Sequence, residues 1–223
     1  MDAEVDNESA LAPRSTPPGD SPDRQLAEAR LVARACQGDL AAFNLLVLEY
    51  QQLAYNVAYR LVGDPDSAAD ATQEAFIRAN QALPGFRGGA FKSWLLRIVV
   101  NGCYDVLRAR QRHPSTSLDA LADDPDSPTT FPDSGETPEE AALRRELRRQ
   151  IQEGLLALPV DQRTVIVLFD IQGLSYTEVA EATRSSLGTV KSRLSRGRAK
   201  LREYLQNRGE LPSTRERHEP GGI

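Results

Sequence analysis

The chain has 223 residues, 40% of them hydrophobic, which suffices for two small cores and little beyond. Acids outnumber bases, 32 to 27, for a formal net charge of −5, so any affinity for DNA has to come from local patches. Two cysteines, Cys36 and Cys103, and two histidines, His113 and His218, cannot build a four-ligand zinc site.

No apolar run approaches the 18 or so residues of a membrane span, and the N-terminus lacks the basic and hydrophobic segments of a signal peptide. A cytoplasmic protein without membrane insertion is expected, with both cysteines as buried free thiols. There is no P-loop, no nucleophile elbow and no metal cluster, so no enzymatic activity, catalytic residue, cofactor or metal is expected.

Residues 1–24 are rich in Pro, Ser, Asp and Glu and poor in large apolar groups, and read as a disordered leader. Residues 25–112 read as a first helical domain. Its opening pattern breaks at Gly38-Asp39, and Phe43, Leu46, Val47, Tyr50, Leu53, Val57 and Leu61 then form one apolar stripe. Gly63-Asp64-Pro65 ends that helix. The next one, DPDSAADATQEAFIRANQAL, buries Ala68, Ala71, Ala75, Phe76 and Ala79, small residues that let a neighbour approach. Its other side carries Asp66, Asp70, Gln73 and Glu74, by composition a solvated face or an acidic patch for a protein partner.

In PGFRGGAFKSW, glycines and prolines make a loop flanked by Phe86, Arg87, Phe91, Lys92 and Trp94. The helix after it has an apolar series, Trp94, Leu95, Ile98, Gly102 and Val106, opposite Arg97, Asn101, Asp105 and Arg108, and the polar face continues into Arg110 and Arg112. Rings beside a row of hydrogen-bonding side chains are what capture of unpaired bases needs, and they equally make an ordinary amphipathic helix.

Residues 113–136 are dominated by Pro, Ser, Thr and Asp without a persistent period, and read as a flexible acidic linker. A second domain, 137–206, opens with the capping box Thr137-Pro138-Glu139-Glu140 and a stripe of Ala141, Leu147, Ile151, Leu155 and Leu158. QRTVIVLFDIQ, apolar nearly all round, should centre this core, with Gly173 as its C-cap. Ser175 and Glu178 form another capping box, and Ser186 caps a helix with apolar Leu187, Val190, Leu194, Leu201 and Leu205. Two helices across three or four residues make a helix-turn-helix. Between Arg184 and Arg202 stand Lys191, Arg193, Arg196, Arg198 and Lys200 and no acid, which points to nucleic acid. Residues 207–223 read as a frayed tail.

The succession GDLAAFNLLVLEYQQLAY, DATQEAFIRA, FRGGAFKSWLLRIVVN, the acidic linker, LPVDQRTVIVLFDIQGLSYTEVA and GTVKSRLSRGRAKLR resembles the extracytoplasmic-function sigma factors of bacterial RNA polymerase, over about Leu26 to Leu205. The resemblance implies an all-α fold of two small helical domains, sigma region 2 and sigma region 4, on a flexible acidic linker. It implies that Asp70, Gln73 and Glu74 dock on the clamp helices of the largest polymerase subunit. Phe86, Arg87, Lys92, Arg97, Asn101, Asp105 and Arg108 would engage the minus-ten element, with Asn101 lining the pocket for a flipped base, where an amide can read a Watson–Crick edge. Gly188, Thr189, Lys191, Ser192, Ser195 and Arg196 would face the minus-thirty-five element in the major groove. The linker would thread near the active-site and RNA-exit region, and an anti-sigma protein would be a further partner.

This sequence departs from the family pattern in three places. FRGGAF is one residue shorter than the usual loop, Arg184 stands where the family places Gly, and Ser185-Ser186 replace apolar and Pro residues. A non-glycine in a left-handed turn costs about 1 kcal/mol. Long C-terminal accessory domains are absent, so regulation is expected from a separate protein. The rival readings are a stand-alone helix-turn-helix transcriptional regulator, which leaves FRGGAFKSW unused, and a pure interaction protein, which needs no basic recognition helix.

Overall fold

The computed structural model describes residues 22–112 and 137–208, and within them there are eight α-helices and no strand. The expected linker and nearly all of the expected leader and tail lie outside the described residues.

The first bundle consists of α1 (Pro22–Cys36), α2 (Leu40–Val62), α3 (Pro65–Ala82) and α4 (Phe91–Arg112), so the first helix starts at Pro22, inside the expected leader. Asp39 caps α2, its carboxylate accepting from the Ala42 amide at 3.0 Å, and Gly63 ends it in the left-handed region, at φ +77°. Asp64 and Pro65 then start α3. The alanine face of α3 lies on α4, where a Cβ on Gly102 would stand 3.8 Å from the Ala71 carbonyl oxygen. Leu46, Val57, Leu61, Leu95, Leu96, Val99, Val100 and Cys103 fill the centre, each large aliphatic among them contributing about 1.5–3 kcal/mol through burial.

The expected apolar series of α4 needs rotation. Trp94, Ile98 and Val106 are only half-buried, and the fully buried face runs through Phe91, Leu95, Leu96, Val99, Val100, Gly102 and Cys103, because α4 packs on α2 and α3 together. Cys103 is buried and its thiol is pushed up to about 12 by burial, whereas Cys36 is partly exposed, against the expectation for it. Arg110 also leaves the polar face: it donates to Val62 O at 3.1 Å and to the Asp64 carboxylate at 2.8 Å, tying α4 to the α2–α3 corner.

The second bundle consists of α5 (Pro138–Leu156), α6 (Val160–Ile166) running into a π-turn (Val167–Ile171), α7 (Tyr176–Thr183) and α8 (Leu187–Asn207). Both capping boxes are present, at Thr137–Glu140 and Ser175–Glu178. The π-turn forms the core centre with Val167 and Leu168, as its apolar sequence predicts. The α5 stripe is buried only from its C-terminal half. Leu147 is 44% exposed and Leu143 72%, since the first turns of α5 extend past the bundle; Leu155 and Leu158 reach the core. Leu187 at the start of α8 is likewise exposed, whereas Val190 and Leu194 are buried as expected and Gly197 joins them.

The two bundles pack against each other. α7 lies on α4, and α5 lies on the end of α2, where the side chain of Leu156 sits so close to Gly63 that a Cβ there would be 2.7 Å from it.

Candidate nucleic-acid interface

The head of α4 carries a cluster of rings. Phe86 meets Trp94 edge-on at 5.2 Å and Phe91 at 6.2 Å, and Phe91 meets Tyr50 at 5.3 Å. Phe91 is buried, so of the expected loop aromatics it belongs to the core; Phe86 and Trp94 keep partly exposed rings for stacking. Gly88 and Gly89 both take φ +94° with open space around them, the backbone freedom that brings the exposed Arg87 to the tip of the loop.

From this loop Arg97, Asn101, Asp105 and Arg108 descend one face of α4, about 16 Å from first to last. Arg97 is exposed. Asn101, Asp105 and Arg108 line a cleft of about 600 Å³ together with Arg78, Tyr104, Thr183 and Arg184. Asp105 is held at 3.2 Å by Arg78, and Arg108 approaches it at 3.4 Å. Tyr104, Thr183 and Arg184 were not legible as cleft residues, since two of them come from the other bundle.

On the helix-turn-helix, Arg184 occupies the left-handed region (φ 50°, ψ 45°) between α7 and α8, where the sequence placed a glycine-type turn. Ser186 caps α8 by accepting from the Thr189 amide at 3.1 Å. Gly188 and Thr189 therefore sit at the N-terminal end, with Gly188 exposed. Lys191, Ser195 and Arg196 are exposed along α8, while Ser192 is half-buried and donates to Thr189 O at 3.0 Å. Lys191 extends over the Tyr176 ring at 5.7 Å. Not all of the basic run faces outward: Arg193 pairs with Asp161 at 2.9 Å, and Arg198 with Asp170 at 2.9 Å. These two arginines fasten α8 to its own core, Arg198 while still exposed, and Lys191, Arg196, Lys200 and Arg202 are exposed along α8 as well.

A third face lies on α3. Asp70, Gln73 and Glu74 are exposed, and Ile77, one turn on, is 46% exposed, an apolar group that the sequence pattern gave no reason to place outside. Glu74 is braced by Arg78 at 2.8 Å.

Two family models match the chain: Sigma-70 region 2 over residues 46–113 and Sigma-70, region 4 over residues 148–201. The RNA polymerase sigma-H factor of Pseudomonas aeruginosa is 40% identical over 181 residues, covering 79% of this chain and 93% of that one. The chain belongs to the extracytoplasmic-function sigma factors. The sigma-E factor of Haemophilus influenzae is 39% identical over 185 residues, covering 82% of this sigma factor and 97% of its own length. Among solved structures, CnrH in complex with the cytosolic domain of CnrY is similar at 30% identity and TM-score 0.58, covering 81% of this chain and 98% of that one. The sigma factor RpoE from Bartonella quintana, in complex with the anti-sigma factor NepR, is similar at 26% identity and TM-score 0.56, covering 74% and 96%. As an alternative sigma factor, the protein uses both of its bundles, whereas a stand-alone regulator would leave the region 2 bundle without a role. None of the helices among the described residues is long and apolar enough to cross a membrane.

Proposed function

We propose that this sigma factor binds RNA polymerase core through the α3 face, reads the minus-ten element with the head and polar face of α4, and reads the minus-thirty-five element with α8. It does no covalent chemistry and works in the cytoplasm, where the polymerase supplies catalysis. The observation that carries this reading is the separation of the charges. Asp70 and Glu74 stand exposed on α3, Arg87 and Arg97 on the loop and α4, and Lys191 and Arg196 on α8.

Each surface has chemistry suited to its partner. Exposed Ile77 beside Asp70, Gln73 and Glu74 gives a small apolar centre with a polar rim, the composition of a protein contact. Phe86 and Trp94 offer rings to an unstacked base, and Asn101 offers a donor and an acceptor to its edge. A capped helix N-terminus with Lys191 and Arg196 behind it suits the major groove. A net charge of −5 disfavours free binding to DNA, and mounting both domains on polymerase supplies the missing effective concentration. The similar sigma factor RpoE from Bartonella quintana is bound to the anti-sigma factor NepR, which supports an anti-sigma protein as a partner here.

The test is reconstitution of purified polymerase core with and without the protein. Initiation at a defined start site only in its presence is the expected result. Tight operator binding that ignores polymerase would favour the stand-alone regulator.

A further inference from the structure

The cleft beside Asn101 has the size and the chemistry of a small-molecule site. Its volume of about 600 Å³ lies inside the roughly 300–1,000 Å³ typical of such sites. One wall is apolar, formed by Ala82, Ile98 and Tyr104. The Tyr104 hydroxyl is engaged by Thr164 at 3.0 Å, which leaves its ring as the surface it offers.

Three guanidiniums, those of Arg78, Arg108 and Arg184, stand around that wall. A single carboxylate in the lining, Asp105, is shared by two of them, at 3.2 Å from Arg78 and 3.4 Å from Arg108. Glu74 braces Arg78 from outside the lining at 2.8 Å. Among the described residues no acid pairs with Arg184, so the cleft keeps an excess of positive charge. Arg108 is the most exposed partner of Asp105, free to turn toward a second anion. Bidentate arginine contacts suit phosphate oxygens above other acceptors.

Arg184 is this chain's own addition, standing where the family pattern places Gly and held in the left-handed region at φ 50°. Strain kept in place by a charged side chain points to something for that side chain to hold. Facing it, the half-buried Asn101 amide has no hydrogen-bond partner among the described residues. Its paired donor and acceptor match the N6 and N7 edge of adenine.

We propose that this cleft is an adenine-nucleotide site of the free sigma factor. The adenine edge lies on Asn101 against the ring of Tyr104, and the phosphates lie between Arg108 and Arg184. A bound nucleotide would occupy the amide that the minus-ten reading assigns to a promoter base; that consequence rests on the reading, whereas the binding itself does not.

The experiment is equilibrium dialysis of ADP against the full chain without polymerase, at low salt. Adenosine, inorganic pyrophosphate and GDP are dialysed in parallel, and circular dichroism checks that each variant keeps its helices. ADP should bind one to one and about tenfold tighter than adenosine or pyrophosphate, since joining two weak halves raises effective concentration. Arg184→Gly and Asn101→Ala should each weaken ADP about tenfold. The first change should also weaken pyrophosphate and spare adenosine, and the second the reverse. Absence of saturable binding at millimolar ADP would overturn the proposal. So would ADP binding that survives both substitutions, pyrophosphate bound as tightly as ADP, or GDP bound as tightly as ADP. Failure of the unmodified chain to initiate with polymerase core would instead sink the minus-ten reading and leave the dialysis result standing.

Discussion

Arg163 of α6 donates to the carbonyl oxygen of Leu61, at the end of α2, from 102 residues further along the chain. The same guanidinium donates to Leu156 O at 2.9 Å and Leu158 O at 3.1 Å, so one buried cation serves the carbonyl ends of two helices that have no further turn to bond. Among the described residues its charge is met by those carbonyl dipoles and by no ion pair, and burial lowers its pKa.

Replacing this side chain by an apolar one should therefore be costly. Arg163→Leu leaves several buried acceptors unmatched, each worth about 1–3 kcal/mol. We expect a loss of roughly 3 kcal/mol in urea unfolding of the full chain followed by circular dichroism, together with separate unfolding of the two bundles. A loss under about 1 kcal/mol would mean that water reaches those carbonyls, and that the guanidinium does little to couple the bundles.

Much of this fold was legible because it is written in local chemistry. Thr137, Ser175 and Ser186 cap the helices that their spacing announces, and Asp39 and Asp64, read only as part of helix breaks, cap the helices that follow. The alanine face of α3 is buried as its period requires. What periodicity leaves open is whether an element lies against the face that the period defines. Leu143 and Leu147 keep helical spacing on turns of α5 that extend past the bundle, and α4 turns a different edge to a core shared with two helices. Docking of the bundles was invisible for a related reason: nothing in the local pattern around Gln152, Arg163 and the capping residue Glu178 shows that their partners arrive from the other domain. Within the candidate site, the rows on α4 and α8 were readable, but which arginines face DNA was not. Arg110, Arg193 and Arg198 are set apart from the rest only by Asp64, Asp161 and Asp170.

Asn101 tests the minus-ten assignment. It is half-buried in the α4 cleft, and Asn101→Ala removes an amide with both a donor and an acceptor without touching the α3 face. Initiation from matched promoters should fall by about 1–3 kcal/mol, roughly 5- to 150-fold. Core binding, measured by fluorescence anisotropy of labelled protein, should be unchanged. Equal loss of both would show that the side chain supports the fold.

Arg196 tests the major-groove assignment. It is exposed on α8 and, unlike Arg193 and Arg198, is not drawn into an ion pair with its own core. Arg196→Ala should weaken use of promoters that depend on the upstream element and lower the salt slope of holoenzyme binding by about 1 if it contacts a phosphate. If it contacts a base, the loss should instead be confined to particular upstream sequences. The same change at Arg198 should reduce stability, because its guanidinium is bonded to Asp170.

Gly197 is where α8 crosses α6, and sequence pattern alone gave no sign of its role. A Cβ there would lie 2.8 Å from Ile166 Cδ1, 3.3 Å from Gln162 Cβ and 3.4 Å from the Gln162 carbonyl oxygen. The isoleucine tip can swing aside, but the α6 backbone cannot without shifting a buried helix. Gly197→Ala gains up to about 1 kcal/mol in helix propensity and loses about 1–3 kcal/mol to overpacking. A net loss near 1 kcal/mol in the denaturation midpoint is expected, and a gain would mean that the crossing has slack.

Arg184 separates strain from binding at a single position. It is the one non-glycine with positive φ among the described residues, and the left-handed region costs an L-residue about 1–2 kcal/mol. Arg184→Gly relieves that strain while adding about 0.5–1 kcal/mol of unfolded-chain entropy, so the folded protein should gain a few tenths to 1 kcal/mol. Holoenzyme affinity for promoter DNA should move the other way, falling several-fold at low salt and little at high salt, because an exposed cation leaves the edge of the helix-turn-helix. A glycine variant that unfolds more easily would show that the guanidinium's contacts in the cleft hold the turn, and unchanged affinity at every salt concentration would place Arg184 away from the DNA backbone.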